Sequence, residues 1–209
     1  MSAWPELMKT RQIDHEIEMD CNRMKNGFGR TSCAVAILLL AGLFFETARA
    51  GEDRLPQREG EVPRTTSSVP HIQIGAQAVP ELSDRLLERV AKIPGVELRA
   101  TVISLPGAKG FWLNEDVKLA RPQAIVGGRE FAHLHPDGSL HASLPPERAQ
   151  EAVRAGWATM HPWANQRPGW QGFVLIFTPQ SSEEVNTVFG LVLDGYNYVT
   201  GADYLPQSF

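Results

Sequence analysis

The chain has 209 residues, a formal net charge of −4 and the apolar content of an ordinary globular protein. No basic stripe accompanies that acidic balance, which excludes nucleic acid as the main partner, because phosphate binding needs clustered Lys and Arg. Only Cys21 and Cys33 are present, so the body of the chain has no means of building a disulfide framework or a thiolate metal centre.

Residues 1–23 are polar, lack an apolar period and read as an N-terminal extension, with Met24 as an alternative start. Residues 24–50 have the three parts of a secretory signal. Lys25 and Arg30 are basic, residues 33–45 are apolar, and Ala48-Arg49-Ala50 is a small-x-small cleavage site. The apolar run is about 13 residues, short of the roughly 20 that a spanning helix needs. This predicts export, to the periplasm or the medium, with cleavage after Ala50. The alternative is an uncleaved anchor attaching the protein to a membrane through residues 33–45. Residues 51–70 are rich in Pro, Gly, Ser, Thr and charge and read as a flexible linker, with the folded domain at 71–209.

Within that domain, Leu82, Leu86, Val90 and Ile93 form one apolar stripe, predicting a helix over residues 80–93 closed by Pro94-Gly95. Residues 96–105 read as a strand, residues 111–113 as a short one and residues 123–126 as another, closed by Gly127-Gly128. Residues 130–135 and 140–144 form a hairpin around Pro136-Asp137-Gly138-Ser139. A helix follows over 147–156, burying Ala149, Ala152 and Val153. Residues 170–178 are apolar on both faces, the pattern of a central strand. Ser181 caps a last helix, with Glu183 and Glu184 in its first turn. The class is α+β: a single domain with a mostly antiparallel sheet and flanking helices.

The chemistry concentrates in the hairpin. On a strand, alternate residues share a face, so His133 and His135 project together with Phe131, while Glu130, Ala132 and Leu134 take the other face. A two-residue loop at Asp137-Gly138 would turn His141 away. A three-residue loop at 137–139 would place His141 opposite His135, giving three imidazoles on one face; this register is favoured.

The pieces Arg129-Glu130-Phe131-Ala132-His133-Leu134-His135, Leu140-His141-Ala142-Ser143-Leu144, Gly156-Trp157-Ala158-Thr159-Met160-His161-Pro162 and Phe177-Thr178-Pro179 with Glu183-Glu184 occur in that order. This series resembles the fungal luciferase family and its bacterial relatives carrying a luciferase domain. The resemblance implies oxidation of a hydroxylated pyrone by molecular oxygen, through a peroxide intermediate that loses carbon dioxide, without flavin or metal. It also implies an N-terminal membrane segment. The hairpin loop here looks shorter than the fungal one, and the apolar run ends in a cleavage-like site.

A histidine of ordinary pKa, about 6.5, takes a proton from an enol near neutral pH. His133 or His135 is therefore the expected base, with His141, His161 and Arg129 orienting the substrate or stabilising a developing oxyanion. Phe131, Trp157 and Trp163 are expected to wall a pocket for a small aromatic or enolic substrate. Molecular oxygen is the only expected co-substrate. The chemical rival is a metal held by His133, His135 and His141, weakened because Glu130 falls on the opposite strand face. The plainest alternative is structural: histidines held by backbone groups, tryptophans as core, and a domain that binds a small ligand without turnover.

Overall fold

The structure, a computed structural model, describes residues 54–209. The extension at 1–23, the signal or anchor segment at 24–50 and the first linker residues lie outside the described residues. The architecture is α+β, a single domain on one six-stranded antiparallel sheet. In chain order the elements are α1 (Pro80–Val90), β1 (Val96–Ala100), β2 (Lys109–Leu113), β3 (Glu130–Leu134), β4 (Leu140–Ser143), α2 (Pro146–Arg154), β5 (Ala158–Met160), β6 (Phe173–Ile176) and α3 (Ser182–Thr200). The strand order is β1-β2-β3-β4-β6-β5. Among the described residues, no helix is long and apolar enough to cross a membrane.

The helices form where the apolar stripes place them. Pro80 opens α1, where a missing N–H costs nothing, and Leu86 and Val90 turn inward. Ser181 caps α3 by accepting from the Glu184 amide, and Gly201 ends it with a left-handed φ of 78°. Val185, Val188, Phe189, Val192, Tyr196 and Val199 are buried along α3, which lies on β3 and β4. Helix α2 lies on β5 and β6. The core therefore sits between the helices and one face of the sheet, leaving the other face for the site.

Strand β6 is apolar on both sides because it is internal, between β4 and β5. Gly172, just before it, passes so close to Leu144 that a Cβ would lie 1.8 Å from the Leu144 carbonyl oxygen.

Two expectations are corrected, and one strand is added. Residues 123–126 are not a strand: Pro122–Ala124 is a 3₁₀ turn, since Pro122 supplies no N–H to a ladder. The three-residue edge strand β5 is too short to leave a period of its own. Nor is the described part of the linker a free tether. The Leu55 amide donates to Glu151 (2.9 Å), the Trp157 indole to the Pro56 carbonyl (2.6 Å), and Arg58 pairs with Glu184 (3.1 Å). Further on, Thr65 bridges Gln73, whose side chain accepts from the Thr178 amide. Polar composition suggested disorder, but specific pairing to α2, to Trp157 and to α3 supplies the enthalpy that composition does not register.

Candidate functional site

Of the six histidines in the sequence, His71, His133, His135, His141 and His161 converge, all nearly fully buried, around one cavity. Its volume is about 240 Å³, and Val69, Ile72, Ile103, Leu105, Trp163 and Phe173 supply apolar wall. The hairpin delivers His133, His135 and His141. Its register pairs Ala132 with Ala142, His133 with His141 and Leu134 with Leu140. The loop has three residues, 136–138, rather than the expected 137–139, and His141 therefore faces His133 rather than His135. The parity, and with it the shared face, is the favoured one. Gly138, at φ 84°, takes the left-handed position that such loops need, and its amide donates to the His135 carbonyl (3.0 Å).

A β-bulge decides the rest of the face. Trp112 pairs with Glu130 while Phe111 pairs with Ala132, so Phe131 is an extra residue on β3. The bulge turns Phe131 toward the helices, where its ring meets Phe111 and Tyr196. Glu130 thereby joins the histidine face, which strict alternation had denied it. Its carboxylate lies 2.9 Å from His133 Nδ1 and also accepts from the Thr101 hydroxyl (2.7 Å) and the Val102 amide (2.9 Å).

These contacts fix most tautomers. His133 Nδ1–H donates to Glu130, leaving a lone pair on Nε2. That lone pair meets His141 Nδ1 at 3.0 Å, and His141 Nε2 meets His71 Nδ1 at 3.3 Å. Glu130, His133, His141 and His71 thus form one hydrogen-bonded series running from a buried carboxylate to the cavity. The Ser139 hydroxyl donates to Asp137 (2.7 Å) and so accepts from His135 Nδ1–H (3.0 Å), leaving His135 Nε2 with an open lone pair. His161 is the opposite case. Its Nδ1 accepts from the Trp163 amide (3.0 Å), so Nε2 carries the proton and is a donor.

Burial favours the neutral form of His71, His135, His141 and His161. Desolvation holds His135 down at about 4, with His133 and His71 adding to the effect and Asp137 opposing it. His161 falls to about 3 through burial and then His71, His133 and His135. His141 lies well below the ordinary range, from burial and then its imidazole neighbours. His71 is lowered by burial.

Three expected site residues lie elsewhere. Arg129 points away from the cavity and clamps a loop, donating to the carbonyls of Leu113 (2.9 Å), Asn114 (2.6 Å) and Val117 (2.5 Å). Phe131 belongs to the core through the bulge. Trp157 is core as well, with its indole tied to Pro56 and the Arg58 guanidinium 5.7 Å from its ring. Trp163 does line the cavity, edge-on to His161 and stacked on Trp170. Sequence reasoning missed His71 and Glu130. His71 stands alone in Val69-Pro70-His71-Ile72 with no spacing to link it to the hairpin, and a bulge leaves no local mark in the residues around Glu130.

A family model described as the luciferase domain matches residues 128–193, the stretch from the hairpin into α3. The chain is also 29% identical over 167 residues to a luciferase of Neonothopanus nambi, a match covering 70% of this chain and 61% of that protein. Both findings support a fungal-luciferase-like family. It spans less than two thirds of the length of the curated relative it matches. No solved structure matches it. The luciferase domain's matched stretch contains His133, His135, His141, His161 and Trp163, whereas His71 reaches the cavity, and Thr101 and Val102 reach Glu130, from outside it.

Proposed function

We propose that the cavity is the active site of a luciferase-like oxygenase that acts on a small enolic or aromatic compound, of which a hydroxypyrone is the type. The observation that carries this reading is the pairing of an open lone pair on His135 Nε2 with a fixed N–H on His161, both on one cavity wall set. The first takes the enol proton. The enolate carbon then adds molecular oxygen, and the N–H of His161 stabilises the resulting peroxide anion. His133 has both nitrogens engaged, so His135 is the base of the two expected candidates. A cavity of about 240 Å³ suits a one- or two-ring compound rather than a long chain. Oxygen is the only co-substrate this chemistry requires.

Oxygen uptake by purified, chelated protein against a panel of hydroxypyrones and catechols tests the reading. Uptake is expected with an enolic member, to hold from pH 8 down to about 5, and to fall as His135 protonates near 4. His135→Asn should remove more than about 90% of it, the scale on which general bases contribute. Undiminished turnover in His135→Asn would defeat the assignment.

A further inference from the structure

The same tautomers have a second chemical meaning. We infer that the cavity binds a first-row divalent transition ion through Nε2 of His133, Nε2 of His135 and Nδ1 of His141, and that the ion competes with proton abstraction there. The inference rests on reading this cavity as the active site.

One nitrogen from each of His133, His135 and His141 lies within 4.8 Å of one from each of the others, and all three rings are buried. Metal-ligating imidazoles characteristically donate their remote N–H to a carboxylate or other acceptor, which fixes the ring and raises its basicity. Both requirements are met. His133 Nδ1–H is held by Glu130, itself fixed by Thr101 and Val102. His135 Nδ1–H is held by Ser139, itself oriented by Asp137. His141 Nδ1 is freed once its proton moves to Nε2, where His71 Nδ1 at 3.3 Å is the acceptor. That shift also removes the imidazole-to-imidazole bond between His133 and His141, leaving both lone pairs for the ion. A fourth position opens on the cavity for water.

A second triad, His71, His141 and His161, is equally close in space but chemically unsuited. The Trp163 amide occupies the His161 Nδ1 lone pair, so Nε2 is protonated and has nothing to coordinate with. Three neutral nitrogens with no thiolate favour zinc, copper, nickel or ferrous ions over calcium or magnesium. A seated ion takes the His135 lone pair that the base needs, so loading opposes the proton transfer proposed above.

The test uses tag-free protein stripped with chelator. Zn²⁺ is titrated by calorimetry, and Co²⁺ is followed by its visible absorption. One ion per chain is expected, with His133→Ala and His135→Ala each weakening Zn²⁺ binding at least about 100-fold and Glu130→Gln about 10- to 100-fold. His161→Ala should bind within about threefold of wild type. Far-UV circular dichroism on each variant separates lost binding from lost fold, and His135→Gln serves where the alanine variant is unfolded. No Zn²⁺ binding in folded wild type, or binding that survives His135→Gln but not His161→Ala, overturns the site. Oxygen uptake should fall as the ion is titrated in; a rise overturns the competition. Binding is read without substrate and the oxygenase is read without metal, so either can fail alone.

Discussion

Lowering the pH should unfold this protein through its histidines, well before its carboxylates titrate. In the folded state His135 is held at about 4 and His161 at about 3, and His71 and His141 are lowered as well. In the unfolded chain each imidazole titrates near 6.5. Between those values the unfolded state binds more protons, so stability is full above 6.5 and is lost as pH falls toward 4. At pH 5 one imidazole so placed contributes a loss of about 2 kcal/mol, from 1.36 kcal/mol per pKa unit over 1.5 units. His135 and His161 together would sum to about 4 kcal/mol, which we halve to about 2 because the rings border a cavity and interact with one another; His71 and His141 shift in the same direction. That is a sizeable share of the 5–15 kcal/mol typical of a domain. Urea denaturation in chelator at pH 7.5, 6.5, 6.0, 5.5 and 5.0 measures it. The unfolding free energy should be level above about 7 and fall with a slope that steepens below 6.5. A free energy constant to within about 1 kcal/mol from pH 7.5 to 5 would refute the reasoning, since it would mean that the cluster pays nothing to stay neutral.

The remaining predictions concern residues outside the proton chemistry. Arg129→Ala should lower stability by about 3 kcal/mol, because three carbonyls lose a charged donor, yet leave oxygen uptake per folded molecule within about twofold. Denaturation and oxygen-electrode rates on the same sample check this, and loss of turnover in folded protein would return Arg129 to the active site. Gly172→Ala should destabilise by more than about 3 kcal/mol, since its Cβ would stand 1.8 Å from the Leu144 oxygen and backbone must move. A melting temperature within a few degrees of wild type would contradict that packing.

The sequence was informative wherever a pattern is local. Leu82, Leu86 and Val90 marked α1 by their period, and Ser181 with Glu183 and Glu184 marked the start of α3. The Asp137-Gly138 turn and the alternation of His133 and His135 located the hairpin and its histidines. Fold class followed from those elements. The failures share a cause as well. Arg129 and Trp157 carry chemistry that suits a site, and nothing near them in the chain reveals that three carbonyls or Pro56 claim them instead.

What the chain alone determined is the inventory: the imidazoles, the turn that brings three of them near one another, and the helices that cover one side of the sheet. Tertiary structure decided which groups complete the site. One extra residue on β3 turned Phe131 into the core and Glu130 toward His133, reversing the faces that strict alternation assigns. His71 arrived at the end of a linker whose composition suggests no structure, because Arg58 in that linker and Gln73 just after it fasten the chain to α3 and to the residues just before it. A side-chain period is a local property of the backbone; a bulge or a long-range tie depends on what lies across the sheet, which no stretch of sequence contains.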